Sequence, residues 1–391
     1  MALAIDVTRR DPQAAAEALQ PAIRARAEAI ETERRLPADL AGELARAGLM
    51  RLFVPAAAGG LEMDPPQAFA ATEALARADA SVAWCQMIAA TTGLVSAYLP
   101  TDRAAQIFAA DDAITGGVFA PKGEARPVAG GYRVSGRWQW ASGSANCAWL
   151  MAGCRVVEDG AVRTLPNGAP DVLMVLVPRR AVTLHDTWHA AGLAGTGSGD
   201  MEIVDAEVPG GHSASFFSDR PVADGPLYRF PVFAMLAQGI AATALGNARG
   251  ALDELAAFGT AKTRQFERKA LGATPHVQGE TARAEALLSS ARAFWAATLA
   301  DAWDRASAGQ ALSIETRARL RLAATHATRT AAEVTAMAHD LAGGASAFLS
   351  FPIQRRFRDA HVATQHIMVG HATYETYGRT VYGLDVDATF V

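Results

Sequence analysis

GYRVSGRWQWASGSANCAW, residues 131–149, is the stretch on which the reading of the chain turns. Val134, Trp138 and Trp140 alternate with Arg133, Arg137 and Gln139, and a period of two predicts a strand with one apolar face. The pattern then breaks at Ala141-Ser142-Gly143-Ser144. A turn carrying two hydroxyls and a glycine directly after two tryptophans offers polar groups to a planar ligand beside an aromatic wall. From these residues alone, an ordinary hairpin with core tryptophans and solvated serines stands equally well.

Outward from this stretch the composition changes on both sides. Between about Ile114 and Val208, short segments such as Val172–Val177 and Met201–Val204 sit between Gly, Pro and Asp clusters, which predicts a small antiparallel β domain. Before it, Asp11-Pro12 supplies an N-cap and a first-turn proline, and Ala16, Leu19, Ile23 and Ala27 follow at helical steps. Further helices are expected from near Pro37 to before Gly48, over Pro66–Ala78 and over Ser81–Tyr98, the last apolar enough to be buried. Arg51–Pro55 reads as an extended connector. After Phe230 come four long segments, Ala234–Arg264, Gln278–Ser307, Ile314–Leu341 and Pro352–Tyr382, the spans of an antiparallel four-helix bundle. The expected class is α+β in three domains: helical over 1–112, β over 113–225, helical over 226–391.

Of 391 residues half are hydrophobic and 19% charged, with a net charge of −4 and scattered basic residues, which excludes a nucleic-acid footprint and favours a small-molecule partner. Cys85, Cys147 and Cys154 are odd in number and lack C-x-x-C spacing, so neither a disulfide framework nor a zinc site is expected. Residues 1–10 place Asp6, Arg9 and Arg10 after a short apolar start, the reverse of a signal peptide. No run of about 18 uncharged apolar residues is evident, so the expectation is a cytoplasmic protein without a membrane span.

Gly195-Thr-Gly-Ser-Gly199 lacks G-x-G-x-x-G spacing and precedes a strand, so it reads as a tight turn and not as a dinucleotide fingerprint. His361, His366 and His371 advance in five-residue steps, about 140° around a helix, and share no face as metal ligands. One of them facing a cleft would be a proton donor. Arg358 and Asp359 read first as an ion-pair network.

Together these pieces resemble one family. The α–β–α order, G-x-W-x-x-x-S at Gly136, Trp138 and Ser142, G-L-x-G-T-G-S at Gly192–Ser198, and R-x-x-R-D-A at Arg355–Ala360 are similar to the acyl-CoA dehydrogenase superfamily, and most similar to its two-component flavin-dependent monooxygenases. The resemblance implies reduced flavin, FAD or FMN, from a separate NAD(P)H-dependent reductase, O2 as co-substrate, and a homotetramer. It places Ser142 beside the flavin N5, Trp140 against the isoalloxazine, Arg264 at the flavin phosphate and Gly343-Gly344 over the nucleotide end of the cofactor. His366 falls where the branch has a histidine that supports the flavin hydroperoxide. Trp84, Met87, Thr91 and Thr92 would line a pocket for a flat substrate.

The dehydrogenases' glutamate on the last helix is missing, because Gln365-His366-Ile367-Met368 stands there and Glu375 lies eight residues beyond the histidine. The branch's phenol hydroxylases carry a histidine in the segment matching Ser81–Tyr98, and this chain has none, which points to an indole over a phenol. Two other readings remain at this stage: an acyl-CoA dehydrogenase or oxidase, and a catalytically silent ligand-binding member.

Overall fold

A computed structural model describes residues 11–263 and 269–387; residues 1–10 and Arg264 lie outside them. The first half of the helical framework comprises α1 (Pro12–Ala25), α2 (Ala27–Glu33), α3 (Ala38–Arg46), α4 (Pro65–Ala78), α5 (Ala80–Thr92) and α6 (Thr101–Phe108). Asp11 caps α1 by accepting the Ala14 N–H at 2.9 Å, with Pro12 in the first turn. Arg51–Pro55 is not extended. It follows a 3-10 turn, Leu49–Arg51, and is wholly buried, so its polar neighbours need donors, and Arg51 supplies them to the Gly59 and Phe108 carbonyls at 2.8 and 3.1 Å.

The centre of the molecule is α5. Asp79 caps it by accepting the Ser81 and Val82 N–H groups, and all 13 of its residues are buried. With the 3-10 turn that follows, Ala80–Tyr98 is long and apolar enough to cross a membrane, which corrects the expectation that no such run exists. Residues 80–97 of it are buried and Tyr98 is half-buried, as a helix apolar on all sides requires.

The strands β1 (Thr115–Val128), β2 (Gly131–Trp138), β3 (Trp149–Glu158), β5 (Val172–Pro178), β6 (Thr183–His185), β7 (Asp200–Pro209) and β8 (Ser213–Ala214) form one sheet in the order β6-β7-β2-β1-β3-β5-β8, with β4 (Ala161–Val162) beside β3. The sheet is mixed, not antiparallel throughout: β1 and β3 run parallel, from Thr115 opposite Trp149 to Ala125 opposite Val156. The reason lies in the stretch quoted first. Residues 139–148 cross over the start of β1, putting β2 and β3 on its two sides, and Ala148 is tied to the Ile114 carbonyl at 2.8 Å.

The two tryptophans of that stretch part company. Trp138 ends β2 fully buried, its indole N–H donating to the Gly153 carbonyl at 2.7 Å, and a Cβ on Gly123 would lie 2.1 Å from its ring. Trp140 does not continue the apolar face. It adopts φ +67° and is 66% exposed.

The remaining helices are α7 (Pro226–Arg229), α8 (Val232–Ala261), α9 (Pro275–Ser307), α10 (Ile314–Ala342), α11 (Pro352–Ala363) and α12 (Ala372–Val381). The single last helix expected from sequence is thus two, parted by a segment containing the 3-10 turn Ile367–Val369. The break is held from α10: the buried Arg321 donates through Nε and Nη2 to the Met368 carbonyl at 3.1 and 2.9 Å, and the Thr325 and Thr373 hydroxyls meet at 2.6 Å. His361, His366 and His371 therefore occupy three different elements, and the five-residue helical count does not describe them. On α11, buried Arg356 donates to the Ala76, Arg77 and Ala78 carbonyls that end α4 and pairs with Glu254 of α8. The larger of two cores runs through helices and sheet, and a smaller one gathers Phe108 of α6 with Met151 and Leu176 of the sheet.

Candidate active site

Two turns from distant parts of the sequence are stapled together at one end of the sheet. The Ala141 N–H donates to the Gly199 carbonyl at 3.0 Å and the Gly143 N–H to the Thr196 carbonyl at 2.8 Å. The second turn, between β6 and β7, presses on the helices. A Cβ on Gly192 would lie 2.3 Å from the Arg358 carbonyl, and one on Gly195 would lie 2.2 Å from the Ile30 side chain. Asp359 and Arg358 hold the same loop, Asp359 by accepting the Leu193 N–H at 2.6 Å and Arg358 by donating to the Ala191 carbonyl at 2.6 Å while pairing with Glu31. Burial, and next the charge of Asp79, raise the Asp359 carboxyl to about 7.

Above these turns stands Trp84 of α5. Its indole N–H donates to Ser142 Oγ at 3.2 Å, Ser142 Oγ meets Ser198 Oγ at 2.7 Å, and Ser198 Oγ meets Thr196 Oγ1 at 2.6 Å, all four residues being buried. The other side of the Trp84 ring meets the half-buried His366 ring edge to face, centroids 5.9 Å apart. The structure thus brings Trp84, Ser142 and His366 together from α5, the crossover and the break between α11 and α12.

His366 is fixed in one tautomer. Its Nδ1 accepts the Met368 N–H at 3.2 Å, so the neutral ring carries its hydrogen on Nε2, which makes no hydrogen bond among the described residues. Burial, with the nearby Arg321 charge, pushes its pKa down to about 4. At neutral pH the ring is a hydrogen-bond donor without charge, and it has no spare proton to give as a strong acid.

Beside the turns opens a cleft of about 320 Å³, within the roughly 300–1,000 Å³ of small-molecule sites, walled by Trp140 and Trp188 with Ser198 and Asp200 also lining it. A large aromatic residue held in the left-handed region is costly, and such backbone strain clusters at ligand sites. Trp188 is fixed by its N–H to the Leu193 carbonyl at 3.0 Å and by Arg34, which bonds its carbonyl and Asp186. The carboxylate of Asp200 is already engaged by Thr187 and by Arg137 at 2.8 and 2.9 Å.

The remaining sequence-derived residues sit elsewhere. Met87 packs on Gly239 of α8, and the Thr91 hydroxyl donates to the Met87 carbonyl at 2.7 Å, which leaves it only accepting capacity. Thr92 Oγ1 is buried without a partner among the described residues, a group that calls for a ligand or water. Gly343 and Gly344 lie exposed on the turn after α10 and do not line the cleft, and Arg264 lies outside the described residues. Glu375 is exposed on α12. Thr196, Ser198 and Trp188 were missed as site residues by the sequence reading. The hydroxyls alternating with glycine in Gly195–Gly199 were the available signal.

The acyl-CoA dehydrogenase N-terminal domain matches residues 12–101 and the C-terminal domain of the same family matches residues 238–371. Indole-3-acetate monooxygenase of Pseudomonas putida is 33% identical over 366 residues, covering 92% of this chain and 90% of that protein. The chain belongs to the acyl-CoA dehydrogenase family, among its flavin-dependent monooxygenases. The oxygenase subunit HsaA of a flavin-dependent monooxygenase from Mycobacterium tuberculosis is 30% identical to this monooxygenase over 98% of the chain and 99% of its own length. XiaF from Streptomyces, solved with FADH2 and glycerol, superposes with a TM-score of 0.87 at 25% identity, covering 96% of each chain. Trp84 and His366 of this monooxygenase fall inside the family-matched regions. Ser142 and Ser198 fall between them, so their place in the site rests on geometry.

Proposed function

We propose that this monooxygenase is the oxygenase component of a two-component system: it takes reduced flavin, FAD or FMN, from a separate reductase and uses O2 to hydroxylate or epoxidise an aromatic or heteroaromatic molecule of indole type. The observation that carries the reading is Trp84 joining Ser142 and His366 beside an indole-walled cleft whose one carboxylate, Asp200, is already paired. The residues present fit a flavin: the two indoles suit a flat ring system, and hydroxyls line its edge. When bound, reduced flavin supplies the electrons that activate dioxygen.

The chain's own residues do the rest. Ser142 would hold the flavin N5 edge, Trp140 would cover the ring, and Gly343-Gly344 and Arg264 would serve the nucleotide end. His366 Nε2–H donates a hydrogen bond to the oxygen being transferred, and the apolar surroundings of Trp84 exclude water. Thr92, buried with a free hydroxyl, is left to meet the substrate together with Trp84, while Met87 and Thr91 shape the wall. No histidine stands on α5 to take a phenolic proton, which supports a substrate electron-rich in its neutral form. A homotetramer fits the exposed apolar residues Phe348, Leu349, Ile367 and Tyr382, which second copies of the chain would cover. Buried free cysteines suit the cytoplasm.

The test supplies reduced flavin from an unrelated reductase under 18O2 and compares indole, indole acids and simple phenols. One labelled oxygen atom in the indole-type product is the expected result. Reduction of bound FAD by an acyl thioester, with no labelled product from any aromatic, would replace this reading with the dehydrogenase one.

A further inference from the structure

Met368 is gripped at both of its backbone groups. Its N–H donates to His366 Nδ1 at 3.2 Å, and its carbonyl accepts Nε and Nη2 of Arg321 at 3.1 and 2.9 Å. Arg321 is the first of three such groups on α10. Steps of four residues put Arg321, Thr325 and Arg329 on one face of that helix, and each of them binds the segment 364–373. Thr325 Oγ1 meets Thr373 Oγ1 at 2.6 Å, and Arg329 Nη2 donates to the Thr364 carbonyl at 3.4 Å. The Thr373 hydroxyl itself donates to the Gly370 carbonyl at 2.8 Å, so the contact with Thr325 is closed by the Thr325 hydrogen. The segment is thus laid along a template on α10, with His366 inside it.

Charge acts in the same sense as geometry. The turn at 367–369 packs on α10 and α8, and the histidine ring on Trp84 of α5. No charged residue occurs in α5, or in α8 from Val232 to Ala248. On the flanking helices Asp359 accepts the Leu193 N–H, His361 donates to the Phe357 carbonyl and Glu375 is exposed, while Arg329 of α10 acts on Tyr374. Among the described residues the charge that bears on the His366 ring is Arg321, which together with burial opposes its protonation. A protonated ring would also carry a hydrogen on Nδ1 and would lose the Met368 N–H.

We propose that Arg321 is a positioning residue for the oxygen transfer: by clamping Met368 and repelling a proton from Nδ1, it keeps His366 a neutral Nε2–H donor beside Trp84. The inference rests on the donor role proposed for His366 and adds the group that maintains it.

The test measures labelled product per reduced flavin from about pH 8 to about 5 for the wild type, Arg321→Met, Arg321→Lys, His366→Ala and both Arg321 variants combined with His366→Ala. A thermal melt and a reduced-flavin titration accompany each variant. Arg321→Met is expected to lower the yield about tenfold at the alkaline end, since two hydrogen bonds to one buried carbonyl are lost. The loss should deepen as pH falls, because without the neighbouring charge the ring protonates nearer its ordinary 6.5 than the wild type's value of about 4. Arg321→Lys keeps the charge, so its smaller loss should not deepen with falling pH. In the His366→Ala background neither Arg321 variant should lower the yield further, whereas a role in folding alone would add its own loss. Additive losses, or an Arg321→Met profile parallel to that of the wild type, would overturn the inference. Should Arg321→Met melt below the assay temperature, Arg321→Lys with and without His366→Ala decides by the same additivity. A fall in His366→Ala with no change in Arg321→Met would sink this inference alone, and an unchanged yield in His366→Ala would remove the donor role and the inference with it.

Discussion

The stapled turns at residues 141–144 and 193–199 and the break around His366 both reach Trp84, and they are built on opposite plans. In the turns, hydroxyl hydrogens and backbone groups are satisfied within the chain, down to the Leu193 amide on Asp359. The break has fewer internal ties, chiefly Arg321 to Met368 and the histidine's own capping bond, and next to them Ile367 is 82% exposed. The comparison teaches that one half of the site is finished by this chain alone. The other half leaves the His366 Nε2–H without a hydrogen bond among the described residues and presents an apolar rim at Ile367.

The sharpest challenge to this contrast is His366→Ala. On the proposed role of its Nε2–H toward the reacting oxygen, the loss should cut product formed per reduced flavin by roughly 100-fold or more. Reduced-flavin affinity should change little, since the turns proposed to hold N5 stay intact; a large fall in affinity would show that the two halves are not separable. Ile367→Asp probes the rim. If second copies cover this rim as proposed, it replaces a side chain whose burial is worth roughly 1.5–3 kcal/mol with a charge, so light scattering should report a smaller assembly. An unchanged mass would mean that this rim is not covered by a second copy.

Stability against pH separates the halves in sign. Asp359 is raised from 3.8 to about 7, so its contribution is complete below about pH 4 and is lost as pH rises through 7. His366 is lowered from 6.5 to about 4, so its contribution is complete above about pH 6.5 and is lost as pH falls through 4. Asp359→Asn should therefore gain on the wild type with rising pH, and His366→Ala with falling pH, each by on the order of 1 kcal/mol per pH unit in its window. Melting curves from pH 4 to 8 read both slopes, and parallel curves for a variant and the wild type would deny that residue its role.

Trp84→Phe keeps the ring against His366 and removes only the N–H to Ser142, so a loss of about tenfold in reduced-flavin affinity is expected from titration. A loss confined to turnover would shift the role of Trp84 to the histidine side. The smallest effect is at Trp140. Trp140→Gly relieves a left-handed backbone worth about 1 kcal/mol, partly offset by glycine's added chain entropy, so the melt should hold or rise slightly while flavin binding weakens. A falling melt would mark the indole as structural.

Much of this was legible in the sequence because it depends on local chemistry. The Asp11 cap, the proline start of α4, the apolar α5 and the long helices α8 to α10 follow from capping and periodicity, while Ser142 and His366 were singled out only by the family resemblance. What stayed hidden depends on contacts across the chain. Trp140 continues the period of two in the sequence, yet the crossover turns it out of the strand. The last helix carries no proline to announce a break, which depends instead on Arg321 from α10. The parallel pairing of β1 with β3 follows from where a ten-residue loop crosses, and no residue type encodes that. Thr196 and Ser198 looked like the filling of a glycine turn until the crossover was laid against them.

Arg356 also bears on the order in which the molecule is made. The carbonyls it closes at the end of α4 lie 278–280 residues earlier in the chain. On a ribosome the N-terminal helices emerge with that end open, and α5 follows with its apolar surface uncovered until α8 and then α11 arrive. Such long-range closure slows folding and prolongs exposure of sticky surface. Nascent chains truncated before residue 352 should therefore be chaperone clients, and release of the finished chain should coincide with the docking of its last helices.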